Sequence, residues 1–213
     1  MELKSYSVFH IGVKINPKID INEFRSILKD FALVKGYTFP DKEDLNINDI
    51  FSRGFNPGVE IIAEKGDTKI EFNLTIGAIN FIGKDPKEVS DLVKEAIEFL
   101  EAKNYELDKV IDFFEIIATA YFENDKSPAQ ILKEKTSFDV TKLSQMGDAD
   151  VNMVRIKGRG AGEEDALDIT IGINPLKPSK EFIIQIVKRD RETEKVYKFH
   201  ELIKETIESL INE

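Results

Sequence analysis

The chain has 213 residues, of which 41% are hydrophobic and 33% charged; that is enough for one large domain or two small ones, and too apolar for a disordered segment. Lys and Arg total 30 against 40 Asp and Glu, a net charge of −10 that repels a nucleic-acid backbone unless basic residues gather on one face. Cysteine is absent, which excludes disulfides, thiolate metal sites and a cysteine nucleophile.

No apolar run approaches the roughly 20 residues of a membrane helix. Met1-Glu2-Leu3-Lys4-Ser5 lacks the apolar stretch of a secretion signal, so a cytoplasmic protein without membrane attachment is expected. Abundant Lys, Glu and Ile with no Cys or Trp suit a thermophile's surface ion pairs, and equally an AT-rich genome.

In chain order, Phe9, Ile11, Val13 and Ile15 alternate with Val8, His10, Gly12 and Lys14, the period of a strand with one buried face. A helix is predicted from about Asp20, because Ile21, Phe24, Ile27, Leu28 and Phe31 recur at helical spacing and Gly36 follows. Tyr37 to Pro57, with Pro40, Gly54 and Pro57, reads as a long connection with a short helix around Ile47 to Phe51. Three strands follow: Gly58 to Glu64, then Thr68 to Ile76 after the turn Lys65-Gly66-Asp67, then Ala78 to Ile82. In the middle strand Ile70, Phe72, Leu74 and Ile76 point one way, and Lys69, Glu71, Asn73 and Thr75 the other. Asp85-Pro86-Lys87-Glu88 is a helix start with Asp as cap and Pro first, and Val89, Leu92, Val93, Ala96, Ile97 and Leu100 form its apolar stripe.

The second half repeats this order. Val110 to Phe122 is an apolar strand whose Phe114, Ile116, Ala118 and Ala120 match Phe9, Ile11, Val13 and Ile15 (114 − 9 = 105). Ser127-Pro128 opens a short helix carrying Ile131 and Leu132. Val151 to Lys157, Asp165 to Ile173 and Phe182 to Val187 are strands. Leu167-Asp168-Ile169-Thr170-Ile171-Gly172 matches Phe72 to Gly77 (167 − 72 = 95), and the closing helix with Phe199, Leu202, Ile203, Thr206, Ile207 and Leu210 matches the first (199 − 89 = 110). The expected fold is therefore α+β: two β-α-β-β-β-α pseudo-repeats, residues 1–105 and 106–213, forming one curved antiparallel sheet with helices on one face.

Phe55-Asn56-Pro57-Gly58-Val59, the run Lys69 to Gly83 and the Asp85 helix resemble the layout of a TATA-box-binding protein repeat over residues 55–102. The resemblance implies a saddle-like duplicated sheet. That family reads the minor groove with apolar, Asn and Thr residues and Phe wedges. This sequence departs from the pattern: the second half has no proline-glycine stretch, and the outward face is expected to show Glu60, Lys69, Glu71, Asn73, Asn80, Asp168 and Thr170. Only Asn73, Thr75 and Thr170 are of a suitable type, beside carboxylates at Glu71 and Asp168.

Motifs for catalysis are lacking. Lys157-Gly158-Arg159-Gly160-Ala161-Gly162 could cradle an anion, but Glu163, Glu164 and Asp165 follow it and a hairpin loop explains it better. His10 and His200 come from different elements and read as surface or satisfied structural residues. Asp148-Ala149-Asp150 reads as a turn, and Lys188-Arg189-Asp190-Arg191 as a solvated turn balanced by Glu192 and Glu194. The expectation is a non-enzymatic binding or assembly module with no cofactor and no metal, using the sheet face for a protein partner or for self-association. The face residues are Glu60, Lys69, Glu71, Asn73, Thr75, Asn80, Asp168 and Thr170. Nucleic-acid binding through the saddle, and a small-molecule or enzyme pocket near residues 37–57, are the alternatives.

Overall fold

In the computed structural model, residues 2–20, 22–39, 58–136, 151–158 and 165–212 are described. Eight strands form one sheet: β1 Glu2–Ile15, β2 Val59–Lys65, β3 Thr68–Asn73, β4 Ala78–Gly83, β5 Ile111–Glu123, β6 Met153–Lys157, β7 Leu167–Ile173 and β8 Glu181–Asp190. Among the described residues, five helices accompany them: α1 Asn22–Val34, α2 Pro86–Ala102, α3 Leu107–Val110, α4 Pro128–Lys135 and α5 Thr193–Asn212. The sheet order is β2-β3-β4-β1-β5-β8-β7-β6, antiparallel throughout. That order reads identically from either edge once each half is numbered separately, so the architecture is the expected α+β duplication.

The register locates the symmetry. Ile11 lies opposite Ile116, with Phe9↔Ala118 and Val13↔Phe114 on either side. A pseudo-two-fold therefore passes between Ile11 and Ile116, and β1 corresponds to β5 at the offset expected from the sequence (116 − 11 = 105).

Two other offsets need correction. Val13 pairs with Ile79, and its counterpart Ala118 pairs with Ile186, so β4 corresponds to β8 at 186 − 79 = 107. Phe72 pairs with Ile79 and Ile169 with Ile186, so β3 corresponds to β7 at 169 − 72 = 97, not 95. The helices α2 and α5 begin at Pro86 and Thr193, again 107 apart and not 110.

The core forms because every strand puts one parity of residues on the helix side. Phe9, Ile11, Phe72 and Phe81 from the first half and Phe114, Ile116, Ile169 and Ile186 from the second are buried in one cluster. Phe24, Leu28 and Phe31 of α1, the Val89–Leu100 stripe of α2, and Val196, Ile203 and Ile207 of α5 complete it. The α2 start matches its sequence signature: the Asp85 carboxylate accepts the N–H groups of Lys87 and Glu88 at 2.8 and 3.2 Å. Ser127, in contrast, makes no side-chain cap bond; Pro128 alone marks the start of α4.

The middle strand stops earlier than its alternation predicts. Asn73 Oδ1 accepts the N–H groups of Thr75 and Ile76, Gly77 adopts φ 62°, and the chain turns. Leu74 and Ile76 are consequently about half exposed instead of joining Ile70 and Phe72 in the core.

At the corrected offset His200 corresponds to Val93, a fully buried residue of α2. His200 is thus inside the apolar stripe, its ring edge-on to Phe9 at 6.4 Å, and its Nδ1 is buried without a hydrogen-bond partner. It is neither a surface residue nor a satisfied one. His200→Leu is expected to stabilise the fold by about 1–2 kcal/mol by removing an unsatisfied buried polar atom. A thermal melt should show a Tm higher by about 3 °C or more; an unchanged or lower Tm contradicts the assignment.

Candidate interaction face

The residues of opposite parity form the other side of the sheet, on which no described helix packs. The strand registers line them up in rows. One row crosses all eight strands: Glu64, Lys69, Ile82, His10, Ile117, Val187, Asp168 and Lys157. Charged groups hold its ends, and Ile82, Ile117 and Val187 flank His10 in its middle. The neighbouring row is Ile61, Glu71, Asn80, Gly12, Glu115 and Arg189. A third brings Thr119, Gln185, Thr170 and Arg155 together.

The acids on this face are paired within it. Glu71 bonds Lys69. Arg189 Nε donates to Glu115 at 2.6 Å. Arg155 Nε donates to both oxygens of Asp168, at 2.9 and 3.1 Å, and this guanidinium holds the Asp168 carboxyl below the usual carboxylate range. Glu71 and Asp168 occupy strictly equivalent positions, since Glu71 faces Asn80 and Gly12 as Asp168 faces Val187 and Ile117.

The structure places most of the sequence-derived face residues as expected, with exceptions. Lys69, Glu71, Asn73, Asn80, Asp168 and Thr170 lie on the open face. Glu60 does not: it pairs with the buried Phe72, so its side chain is on the helix side, where it bonds Arg25 of α1. Asn73 is largely buried and spends its side-chain oxygen on the turn. Thr75 lies in that turn, against Gly58. Sequence reasoning missed Gly12, Ile82, Glu115, Ile117, Val187 and Arg189 as face residues. Alternation within β1 and β5 was the available signal for Gly12, Glu115 and Ile117.

At the centre of the face, His10 is mostly enclosed and shares a side-chain hydrogen bond with Asn80. Burial holds its pKa below the ordinary 6.5, while Asn80, Glu115 and Glu71 pull upward and Lys69 downward. Its pKa is lower folded than unfolded, so the unfolded chain binds the proton first as pH falls. The stability His10 contributes is complete above about pH 6.5 and is lost as pH drops from there towards its folded pKa. Relative to His10→Gln, the wild-type protein should therefore lose stability between about pH 7.5 and 5.5. Parallel urea titrations measure this, and pH-independent differences would contradict it.

Other expectations fall elsewhere. Tyr37 borders an open cleft of about 460 Å³ with Lys35, Lys65, Asp85, Glu88 and Asp91, whose charges are largely paired, as in Lys35–Glu95 and Lys87–Asp91. Residues 40–57, the Asp148–Asp150 turn and the glycine-rich loop beyond Gly158 lie outside the described residues. The run Lys188-Arg189-Asp190 is not a solvated turn but the end of β8, where Lys188 bonds Asp165 and Asp190, while Glu192 and Glu194 pair instead with Lys195 and Lys198. Among the described residues, no group of His, Asp and Glu is arranged to hold a metal ion, and no helix is long and apolar enough to cross a membrane.

No family model matches the sequence and no curated protein matches it. Among solved structures, the chain is similar in fold to Methanococcus jannaschii TBP, at 15% identity, over 98% of this chain and 99% of that one, with a TM-score of 0.36.

Proposed function

We propose that the protein is a non-enzymatic binding module that docks a protein partner on the open sheet face. The observation that carries this reading is the row Ile82, His10, Ile117, Val187, an apolar centre flanked by ion pairs that close within the face. An apolar core with a polar rim is the anatomy of a protein interface. Nucleic acid is a poorer ligand: Lys69, Arg155 and Arg189 are each engaged by a carboxylate beside them, and the chain carries −10 overall.

Cross-linking in extracts of the source cells tests this, with links expected from Lys14, Lys69 and Lys157 on the face. With the linked partner purified, Ile117→Gln combined with Val187→Gln should weaken binding by about tenfold or more. Leu202→Gln, at a half-exposed apolar position on α5, should leave it unchanged. Links confined to helix-side lysines, or equal losses in both variants, would sink the proposal. Fluorescence anisotropy with duplex DNA at about 50 mM salt should show no binding.

A further inference from the structure

The charges on the open face run in an order that fits a second copy of the same face. In the row that crosses all eight strands, Glu64, Lys69, Ile82 and His10 come from the first half, and Ile117, Val187, Asp168 and Lys157 from the second. An acid and then a base open the row, and an acid and then a base close it. Reversed, the row is therefore its own complement. A second copy turned about a two-fold axis parallel to the strands, between β1 and β5, supplies that reversal. Glu64 then faces the partner's Lys157, Lys69 the partner's Asp168, Ile82 the partner's Val187, and His10 the partner's Ile117. In the neighbouring row Arg189 faces the partner's Asn80, and Glu115 faces the partner's Gly12, which has no side chain to obstruct it. A two-fold axis along the row instead sets Glu64, Lys69, Asp168 and Lys157 each against its own copy, and like charges placed together oppose docking. Charge selects the first arrangement.

The ends of the row add a second observation. Lys69 and Asp168 have ion partners in their own copy, Glu71 and Arg155. Among the described residues, neither Glu64 nor Lys157 makes a salt bridge. They lie on the two edge strands, β2 and β6, roughly 30 Å apart at the usual strand spacing, so they do not meet within one chain. Across the two-fold they meet twice. The area is also adequate: eight strands at about 4.8 Å spacing, with rows spanning about 20 Å, make a face of roughly 800 Å², what each partner buries in a stable complex. We propose that the partner on the open face is a second copy of this chain, stacked sheet on sheet about a two-fold axis parallel to the strands. The proposal rests on the docking reading above and names the partner within it.

The test is the mass of the full chain in solution, measured by analytical ultracentrifugation at low salt. Interfaces of this size bind at about micromolar affinity or tighter, so at about 100 μM the protein should sediment at twice the chain's 24.3 kDa. Glu64→Lys sets a lysine against the partner's Lys157 at both ends of the dimer. Lys157→Glu sets a glutamate against the partner's Glu64 in the same way. Each variant alone should raise the dimer Kd by about tenfold or more. Neither side chain belongs to the core, so both variants should fold. Mixed in equal amounts, they should form a dimer of one copy of each, about as tight as wild type, because opposite charges then meet at both ends. A two-fold axis along the row gives no such rescue through these two positions. A monomer at about 100 μM, a dimer that neither variant weakens, or a mixture no tighter than the single variants overturns the proposal. The two readings fail separately. A monomer whose face lysines still link to a different protein in extracts sinks the self-pairing alone. Links confined to helix-side lysines sink the docking reading, and the self-pairing with it.

Discussion

Phe9→Ala should lower the unfolding free energy by about 3–5 kcal/mol, the largest effect expected from any single truncation in this core. Phe9 is 0% exposed and stands next to the pseudo-two-fold on β1. Its ring meets Tyr6 edge-on at 5.8 Å and His200 at 6.4 Å, so it joins the central strands to the closing helix of the other half. Its cross-strand partners are Ala118 and Gly83, which have little or no side chain to move into the space left behind. The cavity stays open, and the cost falls at the upper end of the range. With a urea slope of about 2 kcal/mol/M the midpoint should drop by about 2 M at unchanged slope. A loss below about 1 kcal/mol would show that the core closes over the gap.

Gly58→Ala should cost about 2–4 kcal/mol, from two sources that can be separated. Gly58 has φ +111°, a backbone conformation that a residue with a Cβ rarely adopts. An added Cβ would also lie 2.2 Å from Thr75 Oγ1, closer than atoms approach. The two segments cannot simply part, because the Leu74 N–H donates to the Gly58 carbonyl at 2.8 Å. In the double variant Gly58→Ala/Thr75→Ala the steric share should be recovered and the backbone share, about 1–3 kcal/mol, should remain. Denaturant midpoints for both single variants and the double one measure the split. A Gly58→Ala protein as stable as wild type would mean that the turn has another conformation.

Where the sequence reading erred, the error followed the periodicity of the element. The match of β3 with β7 slipped from 97 to 95, two residues, which is one strand repeat and keeps every side chain on its own face. The match of α2 with α5 slipped from 107 to 110, three residues, close to one helical turn. Apolar patterns look alike after such slips, so only the hydrogen-bonded register distinguishes them. The consequences are local and visible. Leu202 corresponds to the exposed Glu95 and not to Leu92, and so it is half exposed. His200 takes the place of Val93 and is half-buried, with its Nδ1 enclosed and unpaired.

The misplacement of Glu60 has a different origin. A bulge between Ile61 and Ala63 shifts the β2 register, which alternation cannot reveal. The pairing of Glu115 with Arg189 joins residues of β5 and β8 that are far apart in the chain, and it appears only once those strands are neighbours. That pairing, with those of Glu71 and Asp168, turns an expected acidic face into one whose charges cancel locally.

Taken alone, the amino-acid sequence determined the number and type of most elements, the duplicated order, the buried parity of the strands other than the bulged β2, and the capped start at Asp85. These depend on local chemistry: the period of apolar residues, the turn-forming glycines, and a carboxylate placed to accept the first free N–H groups of a helix. Only the tertiary structure decided that β1 and β5 join the halves at Ile11 and Ile116, that the face acids are paired, and that His10, Asn80 and Gly12 meet at the centre of the face. Those features come from neighbours across the sheet, and the period-two alternation that specifies a strand's faces is silent about which strand lies beside it.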